Sequence, residues 1–359
     1  MSNLHGEKRL PDITGAGSLE QMRNVREAEQ ERLAASLSDA SAIEVIDELN
    51  GLHDALMRKA LAFAEAEAAR LGHGAPPVPY AYLLFGSGGR REQTAASDQD
   101  SGIVYADADG PVEAERAETF FRIFGELAVR HLIALGYPPC EGNVIASNPE
   151  WRQSISAWER KLDAWFAEPS WENVRYLLIV ADGRCLAGDR ELADRLKRRF
   201  FGGLVSTPVL ARRMMENTLR HKVLVGVFGQ LLVEQYGRDA GSLDIKYGAY
   251  IPMVNVFRLL AMQADIRETG TLARIEALRE AGQVSEETAR EATEAFGLLL
   301  RLRLLSIARS EDGQWIGTGK IAAAQLDVAL RAPLKKALRL GRKLQRQLEK
   351  EMQHRFGGR

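Results

Sequence analysis

The sequence predicts an α+β protein that is mostly α, with a small strand-bearing centre between helical ends. Two observations carry this. Toward both ends apolar residues recur every three or four positions, the period of a helix with one buried face. Short continuous apolar runs bounded by turn residues occur only between about residues 80 and 181. The 359 residues exceed the ~150 of an average domain roughly two and a half times, so two or three packed units are expected.

Each element follows in order. Polar, glycine-containing residues open the chain as a loose arm. From Ser18 to Leu71 the pattern is helical, with Val45, Leu49, Leu52, Leu56 and Leu61 on one stripe. Gly72–Pro79 (GHGAPPVP) stops it, because its prolines and glycines cannot continue a helix. Tyr80–Phe85 (YAYLLF) reads as a buried strand, followed by the loop Gly86–Arg91 (GSGGRR), which could open a helix. Asp98–Tyr105 (DQDSGIVY) reads as a second strand, Glu113–Leu135 as a helix, and Tyr176–Ala181 (YLLIVA) as a third strand ending at Asp182. Trp151, Ile155, Trp158, Leu162 and Trp165 fall at i, i+4, i+7, i+11 and i+14. That is the stripe of a helix packing large side chains into a core, rather than a platform for stacking bases. Beyond Gly188 the pattern is helical throughout: 189–201, 208–236, 251–268, 272–281, 285–309 and 326–354.

Composition excludes several function classes. Lys and Arg number 48 against 49 Asp and Glu, so no global charge draws the chain to nucleic acid or acidic lipid. Two cysteines with no CxxC pair argue against a cysteine-built zinc site or a disulfide framework. The first residues (MSNLHGEKRLPDITG) lack the apolar core of a secretory signal. Val223–Val233, interrupted by Gln230, falls short of the ~20 residues that span a bilayer. A soluble, cytoplasmic chain with no membrane partner is expected.

The chemistry concentrates in Gly86-Ser87 and Ser97-Asp98-Gln99-Asp100. A glycine-serine pair that ends a strand leaves backbone N–H groups open to a close approach, and a helix starting there adds its positive end, as a polyphosphate requires. Asp98 and Asp100, two apart on an extended strand, share a face and could ligate one or two Mg²⁺ ions that also hold phosphate oxygens. Phosphate cradle and metal ligands side by side are what nucleotidyl transfer needs. Asp182 is the candidate third carboxylate, although it could equally just start the turn Asp182-Gly183-Arg184. Competing motifs fail: no Gly-Lys-Ser/Thr follows the glycines, and no G-x-G-x-x-G or His-Glu-x-x-His occurs.

Leu83–Tyr105 (LLFGSGGRREQTAASDQDSGIVY) closely resembles the signature of the DUF294 nucleotidyltransferase family, relatives of the PII uridylyltransferase and glutamine synthetase adenylyltransferase enzymes. The resemblance continues through Gly142-Asn143-Val144, Ser147-Asn148-Pro149, Asp182-Gly183-Arg184 and Gly188-Asp189, and through Leu243–Ala261 (LDIKYGAYIPMVNVFRLLA). It implies a polymerase-β-like core, a small mixed sheet with flanking helices, at 76–200. An N-terminal helical segment at 1–75 and a C-terminal helical domain at 205–355 flank it. It implies that Gly86 and Ser87 hold the β- and γ-phosphates of a nucleoside triphosphate. It also implies that Asp98, Asp100 and Asp182 ligate Mg²⁺ or Mn²⁺. Arg90 either meets the phosphates or locks the loop through Glu92, and Lys246 is a candidate to reach the nucleotide. The acceptor hydroxyl implied is one on a regulatory protein. A nucleotide-sensing module that transfers nothing is the alternative. The loop departs from the family pattern, because a glycine stands where an acidic residue often follows Gly-Ser.

Arg331–Arg359 holds ten Lys or Arg against two Glu, a local charge of +8. Leu334, Leu338, Leu344, Leu348 and Met352 mark its apolar face, which is expected to lie on its own domain with the charge solvated. Aromatics other than Phe356 are missing from it, so nucleic acid is not an expected partner. His221, between Arg220 and Lys222, reads as a helix-surface residue.

Overall fold

Serines set the helix starts. Ser18 accepts a hydrogen bond from the Gln21 N–H and Ser41 from the Glu44 N–H, with the Glu44 carboxylate returning to the Ser41 backbone. Ser170 and Ser285 cap later helices in the same way, each satisfying a first-turn N–H that has no partner within the helix. The computed structural model describes residues 13, 15–205, 208–219, 223–226, 230–237, 239–310 and 315–356.

The described elements run α1 (Leu19–Ser36), α2 (Ala42–Ala68), a π-turn (Ala69–His73), β1 (Tyr80–Leu84), α3 (Gly86–Arg90), β2 (Ser101–Tyr105) and α4 (Pro111–Ala134). A 3₁₀ turn (Pro149–Trp151) leads into β3 (Arg152–Ser154), α5 (Ile155–Ala167), α6 (Trp171–Val180), β4 (Arg184–Gly188), α7 (Arg190–Val205) and α8 (Pro208–Leu219). The remainder is β5 (Ser242–Asp244), a π-turn (Lys246–Tyr250), α9 (Ile251–Gln263), α10 (Thr271–Glu280), α11 (Glu286–Leu305), β6 (Ile307–Arg309), β7 (Trp315–Gly317), β8 (Lys320–Ala322) and α12 (Val328–Phe356). The α+β, mostly α class expected from the sequence is the class observed.

Two compact units emerge. The first comprises Met1–Ile155 with Cys185–Leu192. Its sheet has the order β3-β2-β1-β4, with β1 and β2 antiparallel and β2 and β3 parallel. Tyr80, Tyr82 and Leu84, alternate residues of β1, join Leu56, Met57 and Ala60 of α2 and Phe120, Phe121 and Phe124 of α4 in one buried cluster. Within the expected 1–75 helical segment, α2 lays its buried stripe into the core under the sheet. The second unit comprises Ser156–Arg184 and Ala193–Arg359. In it α12 packs along α8, α9 and α11, with Leu334, Leu338, Leu344 and Leu348 buried. The basic helix thus lies on its own unit, as its sequence predicts.

Several expectations need correction. Tyr176–Ala181 is not a strand: Tyr176–Val180 is the second half of α6 and Ala181 its C-cap, while Ser170 caps the start and Val174, Leu177 and Leu178 form a buried helical stripe. An apolar run of this length fits either structure, and the cap decides. The strand expected from Asp98 begins at Ser101, preceded by an extended stretch. Trp151 precedes α5, and the predicted core role holds for Trp158, fully buried and edge-on to Trp165 at 6.4 Å between centroids. Of the helix expected over 208–236, α8 covers Pro208–Leu219, and among the described residues beyond it Val225 bridges Leu231. His221 and the first twelve residues lie outside the described residues. No helix among those described is long and apolar enough to cross a membrane.

Candidate active site

The site starts from strand register. Tyr80 pairs with Tyr105 and Leu84 with Ser101, and the Phe85 N–H extends the ladder by donating to the Asp100 carbonyl at 3.0 Å. The residue after β1 therefore arrives beside the residues before β2, although twelve positions separate Gly86 from Asp98. Gly86 has φ +52, and a Cβ built on it would stand 2.1 Å from Asp100 Oδ2. Only glycine fits, both for its left-handed backbone and for the carboxylate against its Cα. α3 begins at this glycine, with Ser87 partly exposed in its first turn.

Around Gln99 the chain is extended, so its neighbours face the opposite way. Gln99 is fully buried, and its side-chain nitrogen donates to the Tyr137 carbonyl at 3.1 Å. Asp98 and Asp100 turn together to the partly open side. Their carboxylates and the Cys140 sulfur offer ligand atoms within 4.8 Å of one another, the one such cluster among the described residues. Cys140 was not legible as a site residue. It lies on a segment laid beside the acid pair by the Gln99 N–H to Pro138 carbonyl and Ser101 N–H to Val144 carbonyl bonds, at 2.9 and 3.0 Å. Farther along, Arg152 holds this segment through the Ala146 and Ser147 carbonyls. Gly125 of α4 lets it approach, since a Cβ there would stand 2.4 Å from the Ala146 carbonyl oxygen. The one sequence signal was position: Pro138-Pro139-Cys140 stands just before the Gly142-Asn143 turn that forms part of the family resemblance.

Burial pushes the Cys140 thiol up to about 12, and Asp100 adds to the shift by its charge and by accepting the thiol's hydrogen bond. Val144 and Gly142 N–H groups directed at the sulfur act in the opposite sense.

Residues 91–97, which join α3 to the acid pair, are held by α1 and α2. Asn50, fully buried on α2, accepts from the Gln93 N–H and donates to the Gln93 carbonyl, both at 3.1 Å. Arg26 and Gln30 of α1 donate to the Ala95 carbonyl. Arg91, left-handed at φ 56, pairs with Asp54 at 2.7 Å. Below the loop His53 stands 2.7 Å from the Tyr137 hydroxyl. Desolvation, reinforced by the charge of Arg26, lowers His53 to about 3.

The other predicted residues fall as follows. Arg90 is buried and its Nε donates to Glu92 at 2.7 Å; this is the loop-locking arrangement. Asp182 is 1% exposed in the second unit. Its two oxygens take Arg258 Nε and Nη2 at 2.9 and 2.6 Å, and Arg274 Nη2 approaches Oδ1 at 2.9 Å. It follows the end of α6 rather than a strand, and it is the anion of a buried ion-pair cluster, not a member of the acid–thiol group. Lys246 opens a π-turn of the second unit, where its N–H donates to the Gly319 carbonyl and its Nζ lies 5.2 Å from the Tyr247 ring centroid.

The donor set fits a divalent cation. All three donor atoms lie within 4.8 Å of one another, close enough for side-chain adjustment to bring them onto one ion at its usual donor distances. Gly86 leaves room beside it that a side chain would fill.

Comparison with known families agrees with this geometry. Residues 28–172 match the family model described as "Putative nucleotidyltransferase DUF294", and residues 208–352 match its "Putative nucleotidyltransferase substrate binding domain". The chain belongs to this family. A search of curated proteins found no match.

Proposed function

We propose that the chain is a divalent-cation-dependent nucleotidyltransferase that moves an NMP from a nucleoside triphosphate to an acceptor hydroxyl and releases pyrophosphate. The observation that carries this reading is the convergence of Asp98 and Asp100 against Gly86. Asp98 and Asp100 hold the cation. When bound, it offsets the charge of the triphosphate and of the leaving pyrophosphate and makes the acceptor hydroxyl more acidic. Gly86 and Ser87 receive the phosphates through first-turn N–H groups and the serine hydroxyl. Arg90, through Glu92, keeps that turn in shape. The loop held by Asn50, Arg26 and Gln30 fixes the distance between cradle and carboxylates, so catalysis is chiefly positioning and charge neutralisation. Lys246 is assigned to the nucleotide as a compact cation. The second unit carries the acceptor, in line with its family description, and by resemblance that acceptor is a hydroxyl of a regulatory protein.

The test is incubation of the purified chain with each α-labelled ATP, UTP, CTP and GTP, with Mg²⁺ or Mn²⁺ and cell lysate. Label is expected on an acceptor together with released pyrophosphate, both lost in Asp98→Ala and Asp100→Ala. Nucleotide binding without transfer would replace the enzyme with the sensing module.

A further inference from the structure

We propose that Cys140 is a ligand of the divalent cation at Asp98 and Asp100, and that its sulfur makes the site prefer a borderline divalent ion such as Mn²⁺ or Co²⁺ over Mg²⁺. This rests on the metal-dependent reading above and deepens it. Two observations carry the inference. The sulfur stands with both carboxylates inside one ligand-sized triangle. The Cys140 segment is held there by backbone bonds from Gln99 and Ser101, so the backbone that carries the thiol is fixed beside the acid pair.

Donor chemistry then sets selectivity. Mg²⁺ takes oxygen ligands and sheds water reluctantly, whereas thiolate draws softer ions. Two carboxylates and one thiolate match an ion of intermediate softness. On binding, the thiol proton leaves to solvent and a sulfur lone pair enters the metal. The third side-chain ligand in this chain is thus a sulfur from the first unit, while Asp182 serves the second.

The test needs no turnover. The full reduced chain, without nucleotide, is titrated with Co²⁺ and its absorption followed. Mn²⁺ and Mg²⁺ affinities are measured by calorimetry. A near-ultraviolet thiolate-to-cobalt charge-transfer band is expected in the parent chain and in Cys185→Ser, and not in Cys140→Ser. Cys140→Ser is expected to weaken Mn²⁺ by at least about tenfold and Mg²⁺ far less. In the unmutated chain, Mn²⁺ should slow alkylation of Cys140 and leave Cys185 unaffected, a readout independent of whether a variant folds. Co²⁺ binding that depends on Asp98 and Asp100 but gives no thiolate band would overturn this inference and leave the transferase reading intact. Binding indifferent to Asp98→Asn and Asp100→Asn would remove the metal site itself, and both readings with it.

Discussion

In the second unit Asp182 is sealed from solvent and gripped by Arg258 and Arg274. In the first unit Asp98 and Asp100 stay partly open and converge with a thiol. The contrast shows how surroundings assign one side chain to two tasks. A carboxylate neutralised by two guanidiniums in a dry interior ties elements together, here the end of α6 to α9 and α10. A pair of carboxylates brought onto one side of an extended strand keeps like charges close, an arrangement that favours an incoming cation.

Substitutions can break or sharpen this contrast, and the largest effect belongs to the sealed site. Asp182→Ala removes the carboxylate that two buried guanidiniums share, and should cost roughly 3–5 kcal/mol of stability in denaturant titration. Asp98→Asn should leave the unfolding midpoint nearly unchanged while ending transfer. If Asp182→Asn kept its stability yet lost transfer, the division of labour drawn here would be wrong.

Next comes Asn50→Ala, which strips two bonds from the Gln93 backbone and should cost about 1–3 kcal/mol. Hydrogen exchange across residues 91–97 should rise with it, whereas Asn255, a partner of Arg258 in the second unit, should leave that loop unaffected when replaced by alanine. Gly86→Ala combines a left-handed backbone with a collision against Asp100. It should cost about 1–2 kcal/mol and weaken divalent-ion binding in calorimetry more than its stability loss accounts for.

The smallest effect is a pH dependence. His53 is neutral in the fold, whereas the unfolded chain takes up a proton near the ordinary 6.5. The unfolded state therefore binds more protons between 6.5 and about 3, and stability falls as pH drops through that window. From pH 6 to pH 5 the loss from this residue should be about 1 kcal/mol. Comparing urea midpoints of the parent chain and His53→Gln across these pH values isolates it: the slope should flatten in the variant.

Much of this was legible in the sequence because it is local. Periodicity marked α1, α2, α4 and the C-terminal helices, and the apolar runs marked β1 and most of β2. Asp98 and Asp100 were legible because residues two apart on an extended chain must share a face. What escaped is decided by partners far along the chain. β3 and β4 are short and take their conformation from strands already in the sheet, so they leave little pattern of their own. The run Tyr176–Ala181 is apolar enough for either structure, and Ser170, outside it, tips it to a helix. Cys140 joins the acid pair across some forty residues through the parallel contact of Gln99 with Pro139, which no local spacing reveals. Arg26, Gln30 and Asn50 look like polar interruptions of helical stripes, and only the folded loop shows what they hold.

The grip of α1 on Ala95 bears on how this protein can be dissected. The family match begins at residue 28, two positions past Arg26 and inside the first helix. A fragment excised at that limit would keep every residue of the recognisable signature and still discard one of the two side chains that clasp Ala95. Whoever trims this chain for biochemistry should cut ahead of Ser18, where the cap begins, and not where the likeness does.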